Sequence, residues 1–275
     1  MKIEEYLETL PAGMLSGADA ELSQRSLREM FRLAGLGAGD TVYHLGCGRS
    51  AEGIRIALTE FGARRAVGVD SDASKLRDAR ALLEGMVQEE EEEAAQGAGL
   101  RGRYRLECAD IRDADMSDAT VILFWFANDS DLIDAMTERF GSLGDGTRIL
   151  TVWGPLPGCL PDAVDFPYVM CKTPLRPARD VGEQLKAVFK RDCVDFVTAW
   201  EHAERYTKAL GPPGTANDRF LTIIQTLTIW TNAWRLGIAC GEEIPEPIST
   251  YVKLMKMNFD IDFDHMLRRD QQKNS

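Results

Sequence analysis

A glycine-rich turn between a strand and a helix constrains the fold of this chain more than any other feature of its sequence. In residues 41–58, TVYHLGCGRSAEGIRIAL, strand-forming residues lead through Gly46 and Gly48 into a helix with regularly spaced apolar positions. A helix N-terminus leaves backbone N–H groups unpaired and carries partial positive charge, so it attracts a carboxylate or phosphate. Glycine has no Cβ to block that approach. The turn therefore predicts a loop that holds a nucleotide-type cofactor.

Strands and helices alternate around and after this turn. Over about 115 residues, helical segments separate strand-like segments such as RAVGVD, YRLECAD, ATVILFWF and TRILTVWG, and this alternation favours a parallel sheet with helices on both faces. After the proline-rich residues 155–174 the pattern becomes helical. The sequence thus predicts an α/β fold in two domains. Residues 1–165 form a Rossmann-like, cofactor-binding domain with an N-terminal helical segment. Residues 166–275 form a mainly helical domain for shaping a substrate pocket or for oligomerisation.

Two aspartates follow successive predicted strands. Asp70 ends RAVGVD, and Asp110 follows YRLEC. A carboxylate after the second strand can accept both ribose hydroxyls of NAD or of S-adenosylmethionine (SAM), whereas Asp110 can accept from an adenine amino group beside Ile111. An aspartate at a strand end also commonly caps a helix. Together with the glycine turn the two acids favour SAM, although a GxGxxG/A pattern ending at Ala51 keeps a dinucleotide open.

These segments resemble the class I SAM-dependent methyltransferases. The likeness rests on residues 40–76, on ECADI at 107–111 and on residues 118–153. It is nearest to the small archaeal protein-lysine methyltransferases and to the histone methyltransferases of the telomeric-silencing type. The resemblance implies a seven-strand α/β fold with SAM at the carboxyl ends of the first, second and third strands.

The resemblance also implies roles for individual residues. In the loop, Gly46, Cys47 and Gly48 would approach the methionine part of the cofactor. The other implied neighbours of the cofactor are Asp70 and Ser71 at the ribose, Asp110 and Ile111 at the adenine, Phe124, Trp125 and Phe126 along the methyl-transfer channel, Asn128 near it, and Met14–Ser16 as a cover.

Three features depart from the family's pattern. His44 stands where the family has an acid that helps to hold the methionine ammonium, and it could take that role only as a neutral acceptor. With an ordinary pKa of about 6.5, it would then weaken SAM binding as the pH falls from about 8 to 6. Ser50 replaces the third glycine of the loop. YVMCKTP, residues 168–174, is the only candidate for a sixth strand, and a seventh is not recognisable.

Methyl transfer from a sulfonium is an in-line displacement that depends on positioning and desolvation. It requires neither a catalytic triad nor a metal, and the sequence suggests neither, since His44, His202 and His265 lie far apart. No catalytic residue is assigned. We predict a SAM-dependent methyltransferase with SAM as its cofactor and a small-molecule acceptor, because about 105 additional C-terminal residues would close over the site. The alternatives are atypical SAM chemistry, such as aminocarboxypropyl transfer, and a non-catalytic sensor or assembly subunit.

The composition of the chain limits which partners and which cellular compartment are expected. A net charge of −12 and a pI of about 4.8 argue against nucleic acid. The N-terminus lacks the apolar core of a signal peptide, and the longest uncharged stretch, residues 220–234, is too short to span a bilayer. The six cysteines form no CxxC pair, so a cytoplasmic protein with reduced thiols is predicted.

Trp230 and Trp234, one helical turn apart, predict a core contact or a homodimer seam between C-terminal helices.

Overall fold

The computed structural model describes residues 21–93, 100–125, 130–152, 154–210, 219–260 and 267. The described part of the chain divides into two compact units, Glu21–Pro177 and a second unit that begins at Ala178. The division falls between residues 177 and 178, whereas the sequence places its domain boundary between 165 and 166. The roles assigned to the two domains stay predictions.

The larger unit is built on a seven-stranded sheet. Its strands in chain order are β1 (Thr41–Leu45), β2 (Arg65–Asp70), β3 (Tyr104–Cys108), β4 (Val121–Phe124), β5 (Arg148–Val152), β7 (Ala163–Asp165) and β8 (Tyr168–Lys172). In space their order is β3-β2-β1-β4-β5-β8-β7. The first five run parallel to one another, while β8 is antiparallel to both β5 and β7. Two short strands, β6 (Cys159–Leu160) and β9 (Arg176–Pro177), form a separate pair. The predicted Rossmann-like α/β fold is confirmed.

Four helices of the same unit lie between or before these strands. They are α1 (Gln24–Ala34), α2 (Glu52–Thr59), α3 (Ala73–Glu93) and α4 (Ser130–Gly141). The first is well delimited, because the Ser23 side chain accepts from the Ser26 N–H and Gly35 ends it with a left-handed backbone. At the amino ends of the strands, Arg148 donates to the Ala34 carbonyl at 2.6 Å and pairs with Asp40, which ties the end of α1 to the sheet.

Beyond β5, the sheet contains two more strands, whereas the sequence indicates only one. The predicted sixth strand, YVMCKTP, forms as β8, but it is the seventh strand of this sheet in chain order and lies next to β5. The sixth strand is the three-residue β7, which a two-residue turn joins to β8. Sequence reasoning misses β7 because so short a strand lies among prolines, which disfavour a strand assignment.

The register of the parallel strands brings their carboxyl ends to one edge. Leu45 pairs with Val69 on one side and with Phe124 on the other, and Asp70 pairs with Cys108. Because β4 is buried along its whole length, a slip of one residue would turn its core side chains over, so the register is strongly fixed. The loops after β1, β2 and β3 therefore begin at one edge of the sheet, where Trp125 also follows β4.

The second unit is helical. It contains α5 (Val181–Phe189), α6 (Phe196–Leu210), α7 (Arg219–Arg235) and α8 (Glu246–Phe259). Within it Trp230 and Trp234 stack with ring centroids 5.1 Å apart, exposed by 0% and 6%, so they are core residues. His202 is also buried, and its ring packs edge-on against Phe189 while Nδ1 bonds the Thr198 carbonyl at 2.8 Å. The predicted homodimer stays a prediction.

A disulfide contradicts the predicted reduced thiols. Cys193 and Cys240, 47 residues apart, are bonded to each other. They meet because a β-bridge joins Val194 to Ala239, with the Cys240 N–H donating to the Val194 carbonyl at 3.0 Å. Sequence spacing cannot reveal such a pair, because the fold alone brings its two cysteines together.

The predicted cytoplasmic location stays a prediction. None of the helices in the described part of the chain has the length and apolar character to cross a membrane.

Gly68 of β2 generates a stability prediction. A Cβ there would lie 2.5 Å from Ile54 Cδ1, 2.8 Å from Cys47 Sγ and 2.9 Å from Leu106 Cδ2. We expect Gly68→Ala to destabilise the protein by about 1–3 kcal/mol, as overpacking of a core does. Gly85→Ala on α3 is the matched control, because its Cβ meets nothing within 4 Å and alanine favours a helix. Urea unfolding followed by circular dichroism compares the two midpoints, and equal midpoints would contradict this packing.

Candidate cofactor site

The loop after β1 is held open by backbone geometry. Gly46 and Gly48 both have positive φ, 71° and 68°, which glycine adopts without steric cost. The N–H groups of Gly46 and Cys47 donate to the Val69 carbonyl at 2.8 and 3.1 Å, so the loop continues the pairing of β1 with β2. Ala51 follows with φ 50° immediately before α2 begins. The loop thus delivers the chain directly onto a helix N-terminus, as the sequence predicts.

Asp70 joins the loop to the end of β2. Its Oδ2 accepts from the Gly48 N–H at 3.0 Å, and its Oδ1 accepts from the Asp72 N–H at 2.9 Å. The residue is only 9% exposed. A buried carboxylate needs such partners, and each oxygen retains a second lone pair for a ligand hydroxyl. Asp70 is therefore placed as the sequence predicts, between the glycine loop and the turn after β2.

His44 lies beneath this loop and contacts the first turn of α2. A Cβ on Gly53 would stand 2.4 Å from His44 Nδ1, so the glycine is what gives the imidazole room. The Nδ1 atom is buried, and no hydrogen-bond partner for it is found among the described residues. Burial lowers the pKa of His44 to about 4, while the negative charges of Glu21 and Asp70 act in the opposite direction. The imidazole is consequently neutral at physiological pH.

This low pKa corrects the pH dependence predicted from the sequence. With an ordinary pKa, His44 would gain charge between pH 8 and 6. With a pKa of about 4 it stays neutral there, so it cannot weaken SAM binding over that range. Whether His44 accepts from a cofactor group stays a prediction.

Cys47 contributes to packing and carries an unreactive thiol. It is 2% exposed. Burial, and secondarily the charge of Asp70, raises the pKa of its thiol to about 12. Since the thiolate is the nucleophilic form, Cys47 has no nucleophile to offer at neutral pH. Cys47 can therefore take part in the cofactor site only through its backbone groups and the space that its side chain fills.

Glu21, just before α1, places a carboxylate over the loop. Its Oε1 accepts from the Arg49 N–H at 2.6 Å and from the Ser50 N–H at 3.3 Å. A Cβ on Gly48 would lie 2.3 Å from the same oxygen, so only a glycine admits the side chain this closely. Sequence reasoning does not find Glu21, because no motif or spacing connects residue 21 with the loop. The fold alone brings them together.

At the end of β3, Asp110 is engaged by its own neighbour. Its Oδ1 accepts from both the N–H and the Nε of Arg112 at 2.9 Å, and the guanidinium also pairs with Oδ2 at 2.5 Å. The hydrogen bonds from Arg112 lower the pKa of Asp110 to about 2. Ile111 is 7% exposed, and its carbonyl accepts from Arg139 of α4 at 2.8 Å. The two residues predicted to contact adenine thus lie in a loop held by these bonds, with the Asp110 carboxylate ionised.

The remaining predicted residues differ in exposure. Ser71 is exposed after β2. Phe124 is 3% exposed and packs edge-on against Phe140, with centroids 5.2 Å apart, as a core residue does. Trp125 is partly buried directly after β4. Phe126, Asn128 and Met14–Ser16 lie outside the described residues. Across the part of the chain that is described, His, Cys, Asp and Glu side chains form no group of three that could hold a metal ion.

Comparison with known proteins finds one that is similar in sequence to part of this chain. No family model matches the chain. A protein of Saccharolobus islandicus (strain REY15A) named protein-lysine N-methyltransferase is 28% identical over 129 residues, which cover 46% of this chain and 71% of that protein. The seven-stranded sheet with its glycine loop after β1 and this relative both agree with the resemblance to the class I SAM-dependent methyltransferases.

Solved structures resemble this chain more distantly. An RNA methyltransferase from Salinibacter ruber, solved with S-adenosyl-L-homocysteine, is 23% identical with a TM-score of 0.47, over 58% of this chain and 98% of that one. The YcgJ protein of Bacillus is 18% identical with a TM-score of 0.36, over 53% of this chain and 54% of its own.

The low pKa of His44 can be tested directly. The folded-state pKa of about 4 lies below the ordinary value of about 6.5. The unfolded chain therefore binds more protons between these values, and His44 lowers stability as the pH falls through that window. We expect an NMR titration of the His44 ring to show no protonation between pH 8 and 6, with His44→Gln identifying the resonance. A midpoint near 6.5 would contradict the burial of Nδ1.

Proposed function

We propose that this protein is a SAM-dependent methyltransferase, which binds SAM around Gly48 and Asp70 and transfers its methyl group to the side-chain amine of a protein lysine. The observation that carries the cofactor part is the hydrogen bond from the Gly48 N–H to Asp70 Oδ2, at 3.0 Å. It joins an open glycine loop to a buried carboxylate at the carboxyl edge of the sheet. In open α/β sheets this edge is where ligands bind.

The residues present fit the chemical groups of SAM. Asp70 has free lone pairs on both oxygens for two ribose hydroxyls. The backbone N–H groups of Arg49 and Ser50 already hold a carboxylate, that of Glu21, so they suit the carboxylate of an amino acid. Asp110 is an ionised acceptor next to an apolar Ile111. When bound, SAM supplies a methyl group already activated on a sulfonium, so the protein need only orient the partners and exclude water.

The acceptor is proposed from the relative. The protein-lysine N-methyltransferase covers less than half of this chain, and its name favours a protein amine over the small molecule expected from the sequence. A lysine ammonium has an ordinary pKa of about 10.4 and must lose its proton before it can attack. Trp125, partly buried directly after β4, is the residue that we propose to contact an incoming cation through its ring.

A small-molecule acceptor remains the second candidate. It is favoured by the helical unit at residues 178–275, because the relative's match spans only 46% of the chain and leaves additional structure to account for.

Removing the Asp70 carboxylate tests the cofactor part. We expect Asp70→Asn to weaken S-adenosylhomocysteine binding by about 10- to 150-fold, since hydrogen bonds to a charged group contribute about 1.5–3 kcal/mol. Asp72→Asn is the matched control: the Asp72 side chain accepts from the Ser74 N–H at 2.7 Å at the start of α3, and asparagine caps equally well. Isothermal titration calorimetry measures both, with NAD as the competing cofactor class. Equal affinities in the two variants, or tighter binding of NAD, would contradict the assignment.

Transfer of a labelled methyl group tests the acceptor. We expect methyl-labelled SAM to label lysine-rich protein, and chemical acetylation of the lysines to abolish the labelling. Asp72→Asn should retain this activity and Asp70→Asn should lose most of it at limiting SAM, because its cofactor affinity falls. Label found only in added small amines or hydroxylated compounds would support the second candidate. Binding without transfer to any acceptor would support the non-catalytic alternative.

A further inference from the structure

Glu21 occupies hydrogen-bond donors that an incoming ligand needs. A single oxygen, Oε1, accepts from the backbone N–H groups of both Arg49 and Ser50, at 2.6 and 3.3 Å. These groups lie between the loop and the start of α2, where the partial positive charge of the helix adds to their attraction for an anion. The donors are therefore engaged by a carboxylate that belongs to the chain itself.

The same carboxylate fills the space beside Gly48. Three atoms of the Glu21 side chain lie within 3.0 Å of the position that a Cβ on Gly48 would take, with Oε1 nearest at 2.3 Å. The gap that glycine creates in a cofactor loop is thus taken up by Glu21. A second carboxylate cannot enter this gap, both because the volume is filled and because Glu21 and Asp70 would repel it.

We propose that Glu21 competes with the carboxylate of the cofactor for the N–H groups of Arg49 and Ser50, and must swing away for SAM or its product to bind. This inference rests on the proposed function. Glu21 is exposed and precedes the N-cap residue Ser23, so its side chain can leave without unpacking the core. Glu21 then sets ligand preference, because only ligands that carry a carboxylate have to displace it.

The competition lowers apparent affinity in a predictable way. If the binding-competent state is only a fraction of the population, the apparent Kd rises by the inverse of that fraction. Removing the Glu21 carboxylate should therefore tighten binding of S-adenosylhomocysteine by about five-fold or more. It should leave 5′-methylthioadenosine unchanged, because this ligand has the same nucleoside but lacks the amino-acid end.

Calorimetry on the full-length chain tests the proposal. S-adenosylhomocysteine and 5′-methylthioadenosine are titrated into the wild type, Glu21→Ala and Glu21→Gln. The control is Glu29→Gln, whose carboxylate pairs with Arg25 on α1, away from the loop. The expected result is tighter binding of S-adenosylhomocysteine in both Glu21 variants, with the larger effect in Glu21→Ala because glutamine can still accept from the same N–H groups. Binding of 5′-methylthioadenosine should be equal in all four proteins.

The unfavourable outcomes are distinguishable. Weaker binding of S-adenosylhomocysteine in the Glu21 variants would overturn the proposal and make Glu21 a partner of the cofactor's ammonium instead. Unchanged binding in all four proteins would overturn the proposal alone and leave the SAM site intact. Failure of every protein, the wild type included, to bind either ligand would overturn the proposed function and this inference together.

Discussion

The site depends on a single backbone-to-carboxylate hydrogen bond, from Gly48 to Asp70. The bond is possible because β1 and β2 pair in parallel, with Leu45 opposite Val69, so that both strands end at the same level of the sheet. The positive φ of Gly48 then turns its N–H toward the aspartate. An aspartate buried to this extent is costly without such partners. The loop and the carboxylate therefore hold each other in place at the carboxyl edge of the sheet.

The groups that contact the loop and the following helix differ in charge. His44 is a neutral imidazole, because burial lowers its pKa to about 4. The carboxylates of Glu21 and Asp70 are each bonded to backbone N–H groups of the loop. At the end of β1, where the resemblance implies an acid, His44 stands as a neutral side chain, and Glu21 from a different part of the chain contacts the loop.

The sequence predicts local features better than features that the fold assembles. The loop at Gly46–Gly48 and the aspartates at 70 and 110 could be found because each follows its strand directly. The engagement of Asp110 by Arg112 depends on side-chain geometry that spacing does not specify. The pKa of His44 follows from burial against α2, and the contact of Glu21 with the loop spans 28 residues. The disulfide between Cys193 and Cys240 and the three-residue strand β7 likewise exist only through tertiary pairing.

The most direct test of the central claim is an amide NMR titration of the isotope-labelled chain with S-adenosylhomocysteine. If the ligand binds at the carboxyl edge of the sheet, the N–H resonances of Gly48, Arg49, Ser50 and Asp72 should shift and saturate together, because these groups bond the two carboxylates of the site. The amides of β7 and β8, at the opposite end of the sheet from β3, serve as the reference set. Saturable binding that leaves all four loop resonances unmoved would contradict the account.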